Sequence, residues 1–434
     1  LFQIFLLGVL PAVLVAQIPA TSRTNRLVDS ISLDSLGTHI TGLESAGGHF
    51  SRVNFTPGND SGAAYIRRAF DALPYLTSVE NDTFYIPSAT PPLNAKPLIN
   101  VIGTLQGKKD PLKVFVLGAH LDCSASRMGT QLWNQQWRTL RAPGADDNAT
   151  GVAAVLEIAR VLSDPASGFM NDYTIRFVAF GAEESGPAYS GSHHGSTHYA
   201  QLAKARSEEI LGMVSMDMIG FNQRYYYQSI ISDAASTWLA ELFVSANAND
   251  SIGLITSTPP FPYATYSDHA SFWTEGYPAI CLIEYAPPWN NGTYYLANPY
   301  YHTSGDSLRT LNLELVRKVT QMTLAGVVSL NNSVTGLEQG IAQVPSMHAL
   351  HQNYPNPFNP TTTIRYEIPV RTYDNTSLRI YDLLGREVAV LVDDMKEPGT
   401  YTVQFDASGL ASGAYLYRLI AGDFIQTKRL MVVK

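Results

Sequence analysis

The sequence predicts an α/β fold, a mixed central β-sheet flanked by helices on both faces, followed by a small all-β sandwich. Three observations predict it: apolar runs alternate with helix-like stretches from Asn100 onward, residues 336–348 carry neither helical period nor strand alternation, and short alternating strands follow to the end of the 434 residues. The expected organisation is a signal peptide over 1–20, a first domain over 21–335, a linker over 336–348 and a second domain over 349–434.

The elements follow in chain order. Leu1 to Ala16, LFQIFLLGVLPAVLVA, is apolar and uncharged but short for a bilayer, with small residues near Ala16 and Ala20. That pattern predicts a secretory signal peptide without its Met and basic start, cleaved near one of those alanines; a retained anchor is the alternative. A helix is expected around Ala63 to Leu73 and a strand around Val79 to Ile86. Val114 to Leu117 reads as a buried strand broken by Gly118, Val152 to Leu162 as an apolar-faced helix, Tyr173 to Phe180 as a second buried strand, and Leu311 to Leu330 as a helix.

Chemistry-bearing side chains sit where these elements end. His120 and Asp122 follow the first buried strand in GAHLDC, at the edge where open α/β sheets bind ligands. Two residues apart in an extended chain, they face one side, so the Asp122 carboxylate can accept the second imidazole N–H. Asp146 and Asp147 in PGADDNATG precede a helix N-terminus, where capping explains one acid but not two acids and an Asn. Glu183 and Glu184 end the second strand in GAEESG and point apart, which lets one hold a metal and the other face a water. Asp217 lies in the apolar run LGMVSMDMIGF, where a buried charge calls for a cation, and His302 lies in NPYYHTSGD. Two imidazoles and three carboxylates (His120, His302, Asp147, Glu184 and Asp217) are what two zinc ions with one bridging carboxylate require.

With GAHLD, PGADDNATG, AEE, MDMIG, YSDHASF and YHTSGDSL in that order, the chain from about Leu27 to Val334 resembles the co-catalytic di-zinc aminopeptidases, the bacterial leucyl aminopeptidase type within the glutamate carboxypeptidase II superfamily. The resemblance implies the zinc exopeptidase fold, with Asp147 bridging two zinc ions, His120 and Asp217 completing one site, and Glu184 and His302 the other. It further implies that Glu183 is the general base and later acid, that Tyr301 helps hold the scissile carbonyl oxygen, that the bond after Asp147 is cis, and that Asp122, Asp268 and Asp306 support the site from behind. The substrates it implies are peptides with a free N-terminus, trimmed one residue at a time.

Other features depart from the family. The long loop after His120 carries Trp133 and Trp137, expected as a rim over the site. Cys123 is read as a packed small residue, and His193, His194 and His198 as members of a polar surface loop. Tyr263, Tyr266, Phe272 and Trp273 are candidates for a side-chain pocket, with ordinary core favoured for at least half of them.

The last 85 or so residues, with NYPNPFNP, IYDLLG and SGAYLYRL, resemble the C-terminal sorting domain of type IX secretion cargo, an immunoglobulin-like sandwich. That resemblance implies handling by the type IX machinery and release from, or attachment to, the outer surface of a Gram-negative cell. An adhesion or spacer module is the alternative. A net charge of −8 without a basic run excludes nucleic acid as the partner, and two cysteines exclude a disulfide-built fold. For the first domain, carboxypeptidase, glutaminyl cyclase and non-catalytic binding remain as alternatives to aminopeptidase. Cyclases use one zinc and binding relatives lose ligands. A carboxypeptidase needs a cationic clamp, for which Arg224 and Arg138 are the candidates.

Overall fold

A computed structural model describes residues 20–258, 263–285, 290–337, 348–368, 374–396, 399–422 and 424–433. The expected signal peptide, apart from Ala20, and most of the expected linker lie outside the described residues. The chain divides into two units, Leu1–Asn332 and Ser333–Lys434.

The first unit is built on eight strands: β1 (Ser78–Phe84), β2 (Leu98–Leu105), β3 (Asp110–His120), β4 (Tyr173–Phe180), β5 (Glu209–Asp217), β6 (Tyr227–Ser232), β7 (Ile255–Ser257) and β8 (Ala279–Ile283). They form one mixed sheet in the order β1-β2-β4-β3-β5-β8-β6-β7. The central strands β4, β3, β5 and β8 run parallel; β1–β2, β2–β4 and β6–β8 pair antiparallel, and β6–β7 pair parallel. Parallel central strands buried on both faces account for the continuous apolar runs VFVLGA and IRFVAF. Their registers align the ends that matter: His120 pairs with Phe180 of β4, and Gly118 pairs with Ser215 of β5, two residues before Asp217.

The helix Gly151–Ser163 packs on this sheet with nearly all its residues buried. Its first residue must be glycine for a steric reason, since a Cβ at Gly151 would stand 2.3 Å from the Met216 carbonyl oxygen. The loop after His120 is more ordered in pattern than expected, because it contains the helix Thr130–Gln136. Trp133 and Trp137, one helical turn apart, are 6% and 5% exposed and pack with Val53, Phe55 and Phe84. They are core and do not rim the site. The long helix Leu313–Leu337 follows, and no helix among the described residues is long and apolar enough to cross a membrane.

The second unit comprises two antiparallel sheets. Three strands, Ala349–Leu350, Thr361–Ile368 and Gly399–Asp406, make one; four strands, Asp374–Tyr381, Glu387–Lys396, Gly413–Ala421 and Phe424–Val432, make the other. Their inward residues, among them Ile364, Tyr366, Leu378, Ile380, Tyr417, Leu419 and Leu430, share one core. The Tyr417 hydroxyl donates to the His351 carbonyl (2.7 Å) and accepts from the Asn353 N–H (2.9 Å), which anchors the NYPNPFNP segment.

Candidate metal centre

Strand geometry brings the candidate residues together. His120 and Asp217 end the neighbouring strands β3 and β5, and Glu183 and Glu184 follow β4 on the other side of β3. His120 Nε2 lies 3.1 Å from Asp147 Oδ1 and 3.4 Å from Asp217 Oδ1. His302 Nε2 lies 2.9 Å from Asp147 Oδ2 and 2.7 Å from Glu184 Oε1. Two clusters therefore form, His120–Asp147–Asp217 and Asp147–Glu184–His302, and Asp147 gives one oxygen to each.

The fit to metal can be judged from these contacts. A tetrahedral zinc site with bonds of about 2.0 Å spaces its ligand atoms about 3.3 Å apart, close to the 2.7–3.4 Å seen here. Asp147 Oδ2, Glu184 Oε1 and Asp217 Oδ1 are buried without a hydrogen-bond partner. Such orphaned carboxylate oxygens are costly unless a cation meets them, and the oxygen–imidazole donor set suits zinc.

The acids are held by a shell of hydrogen bonds. The Asp306 carboxylate accepts the N–H groups of Asp146 (2.8 Å) and Asp147 (3.1 Å). The Asp147–Asn148 bond is cis, and the Asn148 side chain donates to the Met216 carbonyl (2.8 Å) and accepts from the Gly151 N–H (3.1 Å). Asp146 faces away from the centre, accepting from the Gly220 N–H and the Asn298 amide.

Asp122 differs from its expected role. Its carboxylate is 3.6 Å from His120 Nδ1, beyond a hydrogen bond; the ring instead lies 3.2 Å from the Asp122 backbone oxygen. The carboxylate is taken up by the N–H groups of Glu183 (3.1 Å) and Glu184 (3.0 Å) and by the Asn54 amide (2.5 Å). Asp122 thus fixes the acidic pair. Asp268 is fully buried, and both its carboxylate oxygens lack a hydrogen-bond partner.

Glu183 and Glu184 diverge as adjacent residues should. Glu184 turns to His302, whereas Glu183 Oε1 lies 3.0 Å from His193 Nε2. His193 is therefore part of the site's wall and not a solvated loop residue. Tyr301 stacks on His302 with ring centroids 3.8 Å apart. Tyr263 is 90% exposed and Phe272 lies in the core. Tyr266, Trp273 and Tyr301 pack on Met218, Ile231, Ala264, Cys281 and Ile283 as an apolar wall. Cys123 and Cys281 are both buried and free.

Burial and crowding set the protonation states of the metal-free site. Burial pushes the Glu184 carboxyl up to about 8 against the pull of His302, and pushes Glu183 well above the carboxylate range. Burial also raises Asp268 and Asp306 to about 7. For the imidazoles burial pulls downward but the carboxylates win: Glu184 and Asp147 lift His302 to about 10, and Glu183 and Asp217 lift His120 well above its ordinary value. Burial pushes Asp147 upward too, but the His120 and His302 imidazoles beside it outweigh burial and hold it below the carboxylate range.

Sequence reading missed Arg52. It is almost fully buried and donates to the carbonyls of Leu121 (2.9 Å), Leu43 (3.1 Å), Pro143 (2.6 Å) and Gly144 (2.8 Å), clamping the loops that carry Asp122 and Asp147. No motif surrounds it, so nothing local marked it.

Imidazoles and carboxylates converging beside the strand ends of an α/β sheet mark a candidate metallohydrolase centre. Residues 100–327 match the model of peptidase family M28, and the chain belongs to that family. Residues 352–434 match the secretion system C-terminal sorting domain. Leucine aminopeptidase 1 of Neurospora crassa is 31% identical over 235 residues, covering 52% of this chain and 52% of that protein. The chain thus spans about half the length of that protein and of leucine aminopeptidase 1 of Pyrenophora teres. Among solved structures, LapB of Legionella pneumophila superposes with a TM-score of 0.55 at 22% identity over 71% of this chain and 75% of that one. A glutaminyl cyclase from an Acidobacteriales bacterium superposes with a TM-score of 0.54 at 22% identity over 70% of this chain and 96% of that one. At such identities the shared property is the fold.

Proposed function

We propose that the chain is a secreted zinc-dependent aminopeptidase that removes N-terminal residues from peptides, with two zinc ions held by His120, Asp147, Glu184, Asp217 and His302. The observation that carries this reading is the split of one carboxylate: Asp147 Oδ1 faces the His120 cluster and Oδ2 the His302 cluster. Two clusters sharing an acid favour hydrolysis over the cyclase reading, which needs one metal.

Zinc held by these residues would supply Lewis acidity and a more acidic water. Glu183 is the carboxylate placed to accept a proton from the attacking water and to hand it to the leaving amine. The imidazole of His193, 3.0 Å from Glu183 Oε1, keeps the carboxylate turned away from Glu184. Tyr301 stands beside His302 to donate to the developing oxyanion. The apolar wall around Met218, Cys281 and Tyr266 receives the side chain of the N-terminal residue, and the surrounding carboxylates receive its ammonium group. The matching tail supports export, and the proposed route is type IX secretion, with a signal peptide over 1–20, a linker over 336–348 and a sorting domain over 349–434 that leaves the enzyme released or surface-attached.

The test is hydrolysis of aminoacyl-p-nitroanilides, free and N-acetylated, by the zinc-loaded wild type and Glu183→Ala. Cleavage of the free-amine substrates alone, lost in the variant while its zinc content is unchanged, is expected. Equal cleavage of the acetylated substrates, or full activity in the variant, contradicts the reading.

A further inference from the structure

The segment after Asp122 turns back onto the His302 loop and brings a cation with it. The Arg127 N–H donates to the His302 carbonyl (3.0 Å), and Ser126 Oγ lies 3.0 Å from His302 Nδ1. The Arg127 guanidinium carbon sits 4.5 Å from the centroid of the Tyr301 ring, whose own centroid is 3.8 Å from that of His302. Arg127, Tyr301 and His302 form a stack that runs from solvent to the candidate centre. A guanidinium resting on a ring in this way can still direct N–H groups elsewhere.

Among the described residues no carboxylate oxygen lies within 4.0 Å of Arg127, whereas Arg160, Arg176, Arg317 and Arg379 each hold one at 2.5–2.8 Å. Arg138 and Arg224, the two cations nominated from sequence, stack on their chain neighbours Trp137 and Tyr225. Ser304, in contact with Met128, lines a cavity of about 630 Å³ together with Arg141 and Arg309. The single acid of that cavity, Glu44, accepts the Leu308 N–H.

We propose that Arg127 receives the free C-terminal carboxylate of short peptides bound at the centre, so that dipeptides are the preferred substrate class. The inference rests on the aminopeptidase reading of the site. A planar guanidinium edge pairs two N–H groups with two carboxylate oxygens, which an amide or a p-nitroanilide cannot reproduce.

The experiment compares kcat/KM for alanyl-leucine and its C-terminal amide, with alanine p-nitroanilide as a carboxylate-free control, for the zinc-loaded wild type, Arg127→Gln and Arg127→Lys. The wild type is expected to favour the free acid by roughly tenfold, the scale of one charge-assisted pair. Arg127→Gln should bring the ratio near one, and Arg127→Lys should keep part of it. A wild-type ratio near one overturns the proposal, as does an equal loss on both substrates in Arg127→Gln, which would make Arg127 a support for Tyr301. If the wild type cleaves none of the three, including the p-nitroanilide, the aminopeptidase reading falls and the inference with it.

Discussion

The two units differ in the acids they bury. Around the candidate centre the first unit buries His120, Asp122, Asp146, Asp147, Glu183, Glu184, Asp217, Asp268 and Asp306, and leaves oxygens of Asp147, Glu184, Asp217 and Asp268 without a hydrogen bond. The second unit buries no Asp or Glu among its described residues. Its Asn353, Thr362 and Tyr417 satisfy one another and the backbone. Unpaired acids lower stability unless a cation completes them, so such a concentration marks a site, whereas closed networks mark a scaffold.

The sharpest way to break this contrast is to remove the shared acid. Asp147→Ala should abolish the second zinc and lower kcat by a factor on the order of 10³ or more; metal analysis and p-nitroanilide kinetics read both. Retention of two ions with near-normal turnover would mean that Asp147 is not shared. A smaller effect is expected behind it. Asp306→Asn loses the carboxylate that accepts two N–H groups of the Asp147 loop, and zinc affinity should fall roughly 10–100-fold, as for other groups that orient ligands, measured by competition with a chromophoric chelator.

Protonation gives a third handle. In the metal-free fold Glu184 is raised to about 8 and His302 to about 10, so both hold protons at pH 7 and must release them to a metal. Zinc affinity should therefore rise with pH and level off as pH passes through about 8 and then about 10. Titration calorimetry in buffers of different ionisation enthalpy would show net proton release at pH 7, smaller at pH 9. The smallest effect belongs to the scaffold. Tyr417→Phe removes the hydroxyl that links His351 and Asn353, which should cost the second unit about 1 kcal/mol in chemical denaturation and leave hydrolysis unchanged.

Where the sequence was legible, it was because an apolar strand ended on a metal-ligand residue type. His120 and the Glu183–Glu184 pair were placed by the strand before them and Asp217 by the cost of a charge in an apolar run, and the sheet order then brought them together. What was lost lay in side-chain direction and in contacts distant along the chain. The two-residue spacing of His120 and Asp122 fixes a common side but not which atom bonds, and the carboxylate went to the backbone of Glu183 and Glu184. The four-residue spacing of Trp133 and Trp137 was a helical signal inside a polar stretch, and it hid a buried helix face. Arg52 and Arg127 act through partners up to 175 positions away, reaching Gly144 and His302. No local pattern marks such residues.

The most direct test of the central claim is anomalous diffraction at the zinc edge from crystals of the zinc-loaded protein. Two peaks are expected, one beside His120 and Asp217 and one beside Glu184 and His302, each within bonding distance of a different oxygen of Asp147. A single peak at full zinc occupancy, or two peaks with Asp147 bound to only one, would contradict it.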